Sequence, residues 1–219
     1  MIINKINAPI YGIMMVLSII TGILYIAFQL KKEKLDIKII YYFIMLFISC
    51  TIFGSISISY LINGQISLNS YAGAISLIIC SIIFNKIVPL DNKYLKYSII
   101  SCPLIYALGK IGCFIVGCCY GIPYNGILSV TYTNGLNIPL FPIQLVESIV
   151  FLILFFIINH FKDKKNITYI TIIVCVIVKF LLDFLRYEHL NKIITTNQII
   201  SIGFILVVIL LMIKRNLKK

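Results

Sequence analysis

The chain has 219 residues, of which 61% are hydrophobic and 12% are charged, and its mean hydropathy is +1.06. So few polar side chains cannot cover a water-soluble domain of this length, so the composition excludes an ordinary soluble fold and indicates an integral membrane protein. The net charge of +12 would suit a nucleic-acid partner, but the positions of the charges argue against one.

Apolar runs long enough to cross a hydrocarbon core of roughly 30 Å occur repeatedly along the chain. They predict an all-α membrane protein with seven transmembrane helices, in a single domain over residues 1–219 without repeats or flexible linkers. The first run is expected to be a retained helix, because one lysine precedes it and no small-residue cleavage site follows. The predicted spans are residues 9–30, 39–62, 68–89, 97–120, 141–161, 167–187 and 196–213.

The basic residues are distributed unevenly between the predicted loops. Fourteen of the nineteen lysines and arginines lie in four short segments, which follow the first, third, fifth and seventh spans. By the positive-inside rule, this places the N-terminus outside and the C-terminus in the cytoplasm. The charge is therefore interpreted as a topology signal, and no nucleic-acid partner is expected. The four segments contain Lys31, Lys32, Lys34 and Lys38; Lys86, Lys93 and Lys96; Lys162, Lys164 and Lys165; and Lys214, Arg215, Lys218 and Lys219.

The longest predicted loop, residues 121–140, carries no charge at all. Its glycines, prolines, asparagines and alternating apolar residues favour a hairpin or a segment that lies on the outer membrane surface. Such a loop is either a lid or docking surface for an apolar substrate, or an ordinary connector.

Charged side chains inside a membrane are costly, so they normally face the protein interior, pair with one another and mark function. Three spans carry polar or charged residues of this kind, each in the half that is expected to lie outside. These groups are therefore predicted to converge at one depth. They are Lys110 in the fourth span, Gln144 and Glu147 in the fifth, and Lys179, Asp183 and Arg186, which are spaced i, i+4 and i+7 on one face of the sixth.

Two interpretations of these charges remain open. The first is a purely structural lock, in which Lys179 pairs with Asp183 and Lys110 pairs with Glu147. The second is a ligand site, because three cations against two acids leave one positive charge over. That surplus suits a phosphate or another anion.

The segment "GKIGCFIVGCCYG" combines a lysine, three cysteines and four glycines within a span. On a helical wheel, Lys110, Cys113, Gly117 and Gly121 share one broad face, while Cys119 points away. The glycines either allow close helix packing or leave room for a ligand beside the lysine.

Three cysteines of this segment, Cys113, Cys118 and Cys119, raise the question of metal or redox chemistry. The chain lacks a CxxC pair, and its two histidines, His160 and His189, are predicted on opposite sides of the membrane. No metal site and no cofactor are therefore expected. Small packing residues are one interpretation of the three thiols, and thiol–disulfide chemistry near the outer surface is the other.

Residues 109–121 resemble the signature segment of the prolipoprotein diacylglyceryl transferases, written G-R-[IL]-G-N-F-I-N-G-E-x-[YW]-G. Further segments resemble the family's motifs in the same order along the chain. These are "PIYGIMM" (9–15), "SYAGAISL" (70–77), "FPIQLVES" (141–148), "KFLLDFLR" (179–186) and "NQIIS" (197–201).

This resemblance implies an activity and a location. The family transfers the diacylglyceryl group of phosphatidylglycerol to the lipobox cysteine of a preprolipoprotein, the first step of bacterial lipoprotein maturation, and releases glycerol phosphate. The resemblance therefore implies a multi-pass transferase of the bacterial plasma membrane, whose active site faces the outer side. By position, the expected catalytic residues are Lys110, Lys179, Tyr71 and Tyr11, and the expected lipid-binding residues are Gly109, Gly112, Cys113, Gly117, Gly121, Gln144, Glu147, Asp183, Arg186 and Gln198.

Several positions depart from the family pattern. Lys110 and Lys179 stand where the family has arginines, and lose the bidentate fork that suits phosphate. Tyr71 stands where the family has a histidine and is a poorer general base at neutral pH. Two other functions therefore remain open: a non-catalytic phospholipid-binding or transport protein of the same fold, and a membrane thiol oxidoreductase that uses the three clustered cysteines.

Overall fold

The structure is a computed structural model that describes residues 2–3, 8–64, 70–88, 92–133 and 136–217. The chain divides into two compact units. Unit 1 comprises residues 1–19 and 103–219, and unit 2 comprises residues 20–102. The single domain over the whole chain remains a prediction.

Helices dominate the described part of the chain, and they follow the predicted spans in order. Two-residue strands, β1 (Ile2–Ile3) and β2 (Thr131–Tyr132), pair in parallel, and a 3₁₀ helix covers Tyr187–Leu190. The fold class is therefore all-α, as predicted. The helices are α1 (Ala8–Lys32), α2 (Ile37–Asn63), α3 (Ser70–Ile87), α4 (Lys93–Val116), α5 (Ile143–His160), α6 (Ile167–Asp183) and α7 (Thr196–Leu217).

Among the described residues, four helices contain a stretch that is long and apolar enough to cross a membrane, namely Ile10–Lys32, Ile37–Ser57, Lys93–Val116 and Ile143–His160. Large apolar side chains on these stretches are exposed, as on a surface that lipid covers. The protein is accordingly a multi-pass membrane protein.

Unit 2 is held together by close contact between α2 and α3 and by an aromatic core. A Cβ atom on Gly54 of α2 would lie 1.8 Å from the Ser76 Oγ of α3, so the two helices approach as closely as a glycine permits. The rings of Phe43, Phe84 and Tyr94 contact one another with centroids 4.9–5.0 Å apart. Such tilted and edge-to-face pairs stabilise a core beyond their buried area.

Glu33, which follows α1, connects to the first turn of α4 within the same unit. Lys93 Nζ lies 2.6 Å from Glu33 Oε2, and the Tyr97 hydroxyl donates a hydrogen bond to Oε1. The hydrogen bonds from Lys93 and then from Tyr97 lower the pKa of the Glu33 carboxyl below its ordinary value of 4.5. The bonded carboxylate is therefore worth most when it is ionised.

The fourth predicted span extended to residue 120, but α4 ends at Val116. Gly117 adopts the left-handed conformation (φ +67°), and the Cys118 N–H donates to the Cys113 carbonyl at 3.1 Å. This six-to-one bond over a left-handed glycine is a Schellman C-cap. The helical wheel therefore does not apply beyond Val116, and Gly117 and Gly121 do not extend the face of Lys110.

The sixth predicted span extended to residue 187, but α6 ends at Asp183. Arg186 has an extended backbone and forms an antiparallel bridge with Gly121. Flanking this bridge, the Tyr187 N–H donates to the Tyr120 carbonyl at 3.0 Å. Arg186 is thus positioned by pairing with the segment after α4, and the i+7 helical spacing inferred from the sequence was wrong for this residue.

The described parts of the uncharged loop, residues 121–133 and 136–140, pair with each other, as the hairpin interpretation expected. Antiparallel bridges join Leu140 to both Pro123 and Val130. Phe114, Val130, Tyr132 and Leu140 form a small buried core beneath it. The loop is therefore packed against the end of α4.

Replacing Glu33 by Gln should destabilise the protein by about 1 kcal/mol at pH 7. The loss is modest because about a quarter of the Glu33 side chain is exposed, so solvent weakens the ion pair. A carboxyl with a lowered folded-state pKa stabilises above its unfolded pKa and loses that contribution as the pH falls through the folded value. The gap between wild type and variant should therefore close below about pH 4. Detergent-phase unfolding across this range checks it; a gap independent of pH would contradict it.

Replacing Gly117 by Ala should destabilise the protein by at least about 1 kcal/mol, because alanine is strained at positive φ. The new Cβ would also lie 2.6 Å from the Tyr132 ring. Gly203→Ala is the control, since a Cβ there meets nothing within 4 Å and favours the helix. Equal thermal stability of the two variants would contradict the C-cap assignment.

Candidate functional site

A buried carboxylate, Glu147, is the centre of the charged cluster in unit 1. Its side chain has no exposed surface, and each of its oxygens contacts a cation. Lys110 Nζ lies 2.7 Å from Glu147 Oε2, and Arg186 Nη2 lies 2.7 Å from Glu147 Oε1. A charge buried this deeply is tolerated only when it is paired in this way.

Arg186 also pairs with a second carboxylate. Its Nε lies 2.9 Å from Asp183 Oδ1, and the Thr195 hydroxyl donates to Asp183 Oδ2 at 2.6 Å. Arg186 therefore joins Glu147 of α5 to Asp183 at the end of α6. Asp183 and Thr195 are both buried.

Tyr106 connects the remaining lysine to the cluster, and the sequence analysis missed it. Its hydroxyl donates to Glu147 Oε1 at 3.0 Å and accepts a hydrogen bond from Lys179 Nζ at 2.9 Å. The ammonium groups of Lys110 and Lys179 also lie over its ring, at 5.2 and 4.7 Å from the centroid. The available signal was its spacing, one helical turn before Lys110.

These groups converge as the sequence predicts, and their pairing differs in part from the structural lock proposed for them. Lys110 does pair with Glu147, whereas Asp183 pairs with Arg186. Among the described residues, this cluster contains three basic side chains and two carboxylates. The basic side chains are those of Lys110, Lys179 and Arg186, and the carboxylates are those of Glu147 and Asp183. By side-chain count, the cluster of the folded protein thus keeps one more basic group than carboxylates.

Gln198 contributes to this cluster through the start of α7. Its side-chain Oε1 accepts a hydrogen bond from the Thr195 backbone N–H at 3.0 Å. Its backbone N–H donates a hydrogen bond to Thr195 Oγ1 at 3.3 Å. This reciprocal arrangement is a capping box, which the spacing Thr-x-x-Gln signals in the sequence. The cap holds Thr195 where its hydroxyl reaches Asp183.

The glycines of the signature segment lie at close contacts within unit 1. A Cβ on Gly112 would be 2.8 Å from Met14 Cβ, and one on Gly109 would be 3.3 Å from Met15 Sδ, both on α1. A Cβ on Gly121 would be 2.2 Å from the Phe141 carbonyl oxygen. These three positions support the interpretation that the glycines allow close packing.

Two expected catalytic tyrosines have different outcomes. Tyr11 of α1 is partly buried and lies near the Cys113 thiol, and its catalytic role remains a prediction. Tyr71 belongs to α3, and its side chain lies outside the described residues. Its catalytic role remains a prediction.

The turn after α4 brings three thiols together. The sulfur atoms of Cys113, Cys118 and Cys119 all lie within 4.8 Å of one another. Cys119 does not point away, as the helical wheel predicted, because the chain reverses at Gly117 and Cys119 itself has φ +57°. Gln144 stabilises this turn, since its Nε2 donates to the Cys118 carbonyl at 2.6 Å.

Replacing Glu147 by Gln should destabilise the protein by about 3–5 kcal/mol, because two buried cations lose their shared partner. Glu33→Gln is the matched control, as it removes a carboxylate that is a quarter exposed and should cost far less. Unfolding of both variants in the same detergent measures the difference. Similar losses in the two would contradict the central position of Glu147.

Comparison with known proteins places this cluster in a family context. Over 125 residues the chain is 30% identical to the phosphatidylglycerol–prolipoprotein diacylglyceryl transferase of Clostridium tetani, covering 52% of this chain and 50% of that protein. Over 150 residues it is 29% identical to the phosphatidylglycerol–prolipoprotein diacylglyceryl transferase 2 of Clostridium perfringens, covering 62% and 55% respectively. The chain thus spans about half the length of the curated relatives it matches. A family model described as prolipoprotein diacylglyceryl transferase matches residues 1–214, and the chain therefore belongs to the prolipoprotein diacylglyceryl transferase family.

Proposed function

We propose that this protein transfers the diacylglyceryl group of phosphatidylglycerol to the lipobox cysteine of a preprolipoprotein. The observation that carries the proposal is the buried cluster around Glu147, in which cations outnumber carboxylates. Buried excess charge is costly unless an anion compensates it. Family membership and the names of the relatives, which include phosphatidylglycerol, support the phosphate of a lipid headgroup as that anion.

Lys110 and Lys179 are the proposed phosphate-binding cations. Both ammonium groups lie over the ring of Tyr106, at 5.2 and 4.7 Å from its centroid. Arg186 pairs with two carboxylates. It is therefore better suited to holding Glu147 in position than to exchanging these partners for a phosphate. A phosphate between the two lysines would relieve their mutual repulsion.

The reaction is a substitution at the glyceryl carbon next to the phosphate. The lipobox thiol loses its proton, its sulfur forms a bond to that carbon, and the carbon–oxygen bond to phosphate breaks; the proton passes to solvent or to the released phosphate. The electron pair leaves with glycerol phosphate. Cations beside the phosphate would stabilise the charge that develops on it in the transition state, and would favour the attacking thiolate.

The proposed topology has seven spans, with the N-terminus outside and the cluster in the outer half of the bacterial plasma membrane. It is supported by the distribution of lysines and arginines and by the seven helices that follow the predicted spans. The packed loop of residues 121–140 then covers the outer side of unit 1. A preprolipoprotein exposes its lipobox on that side.

A non-catalytic phospholipid-binding protein is the second candidate. The observation that favours it is the pair of lysines at family arginine positions. A lysine retains the charge for binding but loses the planar fork that fits two phosphate oxygens at once. Such a protein would retain phosphatidylglycerol without consuming it.

The test combines purified protein in detergent with phosphatidylglycerol and a synthetic lipobox peptide, and reads the mass of the peptide. We expect a gain of one diacylglyceryl group on the cysteine. Lys110→Ala should reduce the rate by about 10²–10³, the usual effect of removing one group that stabilises transition-state charge. Lys110→Arg should retain activity, because it restores the family residue.

Lys192→Ala is the matched control, since Lys192 is an exposed lysine outside the cluster and its loss should leave the rate unchanged. No mass gain with wild-type protein, together with retained lipid binding, would contradict transfer and favour the lipid-binding candidate. An equal loss in the Lys192 variant would contradict the assigned role of Lys110.

A further inference from the structure

We propose that Cys113, Cys118 and Cys119 form a binding site for a thiophilic divalent metal ion of the zinc class. The proposal does not rest on the proposed lipid transfer, although Cys113 also stands at an expected lipid-binding position. The three thiols are the one reactive cluster among the described residues that the transfer mechanism does not use.

The spacing of the three sulfur atoms fits a single ion. Each contributes one ligand atom, and all three lie within 4.8 Å of one another. Around an ion with Zn–S bonds of about 2.3 Å, neighbouring sulfur atoms are separated by roughly 3.8–4.0 Å. The observed arrangement therefore needs to contract by less than about 1 Å at its widest, which thiol rotation can supply.

The backbone organises the cluster before any ion binds. The Schellman cap at Gly117 turns the chain so that Cys118 and Cys119 return to the end of α4, where Cys113 lies. Gln144 fixes the turn from α5 through its bond to the Cys118 carbonyl. Cys119 sits in the left-handed region, which non-glycine residues seldom adopt. Two unusual conformations in three residues thus serve to bring the thiols together.

Two cationic side chains lie on the segments that adjoin these thiols. Lys110 belongs to α4, as Cys113 does, and Arg186 pairs through its backbone with Gly121, two residues after Cys119. Three thiolates around a divalent ion carry a single net negative charge, which the excess positive charge of the neighbouring cluster offsets. Binding would release three thiol protons to solvent and change no oxidation state.

The three cysteines differ in their exposure, so an ion could reach the buried thiol from the exposed one. Cys113 is buried, Cys118 is half-buried and Cys119 is exposed. An ion could therefore enter past Cys119 and retain one coordination position open to water, because a three-thiolate site leaves the fourth tetrahedral position unfilled. The expectation of no metal relied on spacing along the sequence, and the turn at Gly117 removes that argument.

The test titrates Cd(II), as a spectroscopic probe for zinc, into reduced full-length protein in detergent without oxygen. We expect one ion per chain and a thiolate-to-metal charge-transfer band in the ultraviolet, which excess Zn(II) removes. The band should be lost in a Cys118→Ser, Cys119→Ser double variant. Cys80→Ser is the matched control. It removes a thiol that interacts with Cys50 and lies outside the cluster, so this variant should retain the band.

A second measurement on unaltered protein covers the case in which the double variant folds poorly. Cd(II) should protect Cys113, Cys118 and Cys119 from alkylation, as read by peptide mass, and leave the labelling of Cys175 unchanged. No band with wild-type protein, or a band that persists in the double variant, would overturn the proposal. A disulfide between any two of these three cysteines in freshly purified protein, located by peptide mass, would also overturn the proposal and favour thiol oxidoreductase chemistry.

Discussion

The burial of Glu147 is the constraint on which the rest of unit 1 depends. A carboxylate with no exposed surface requires compensating charge, and that charge comes from Lys110 on α4 and from Arg186 after α6. Because Arg186 also binds Asp183, and Asp183 is bonded by the residue that caps α7, one buried anion ties four helical segments together. The same arrangement leaves positive charge in excess, so structural support and the proposed phosphate site have a common origin.

The turn that follows α4 is the second element that positions the site. By ending the helix at Val116, Gly117 sends the chain back across the end of α4 and allows Gly121 to pair with Arg186. That pairing aims the guanidinium at Glu147, since Arg186 lies beyond the end of α6. The turn therefore serves the ion-pair cluster and gathers the cysteine thiols at the same time.

Much of the fold and part of the site could be predicted from the sequence. The order of the helices follows from hydrophobic runs, and the convergence of Lys110 and Glu147 follows from the cost of isolated charge in an apolar span. Helical periodicity failed where helices end, so Cys119 and Arg186 were placed on helical faces that do not exist. Tyr106 was missed for another reason: a position one turn before Lys110 is a weak signal for a neutral tyrosine in an apolar helix. Its hydroxyl comes between Lys179 and Glu147 only in the folded protein.

The central claim is that the excess charge around Glu147 holds a lipid phosphate. The most direct measurement is an experimental structure of the protein with phosphatidylglycerol bound. The account predicts the phosphate between the ammonium groups of Lys110 and Lys179, beside Tyr106, with Glu147 still bonded to Arg186. A headgroup bound away from these lysines, with the cluster unchanged, would contradict it and reduce the cluster to a structural lock.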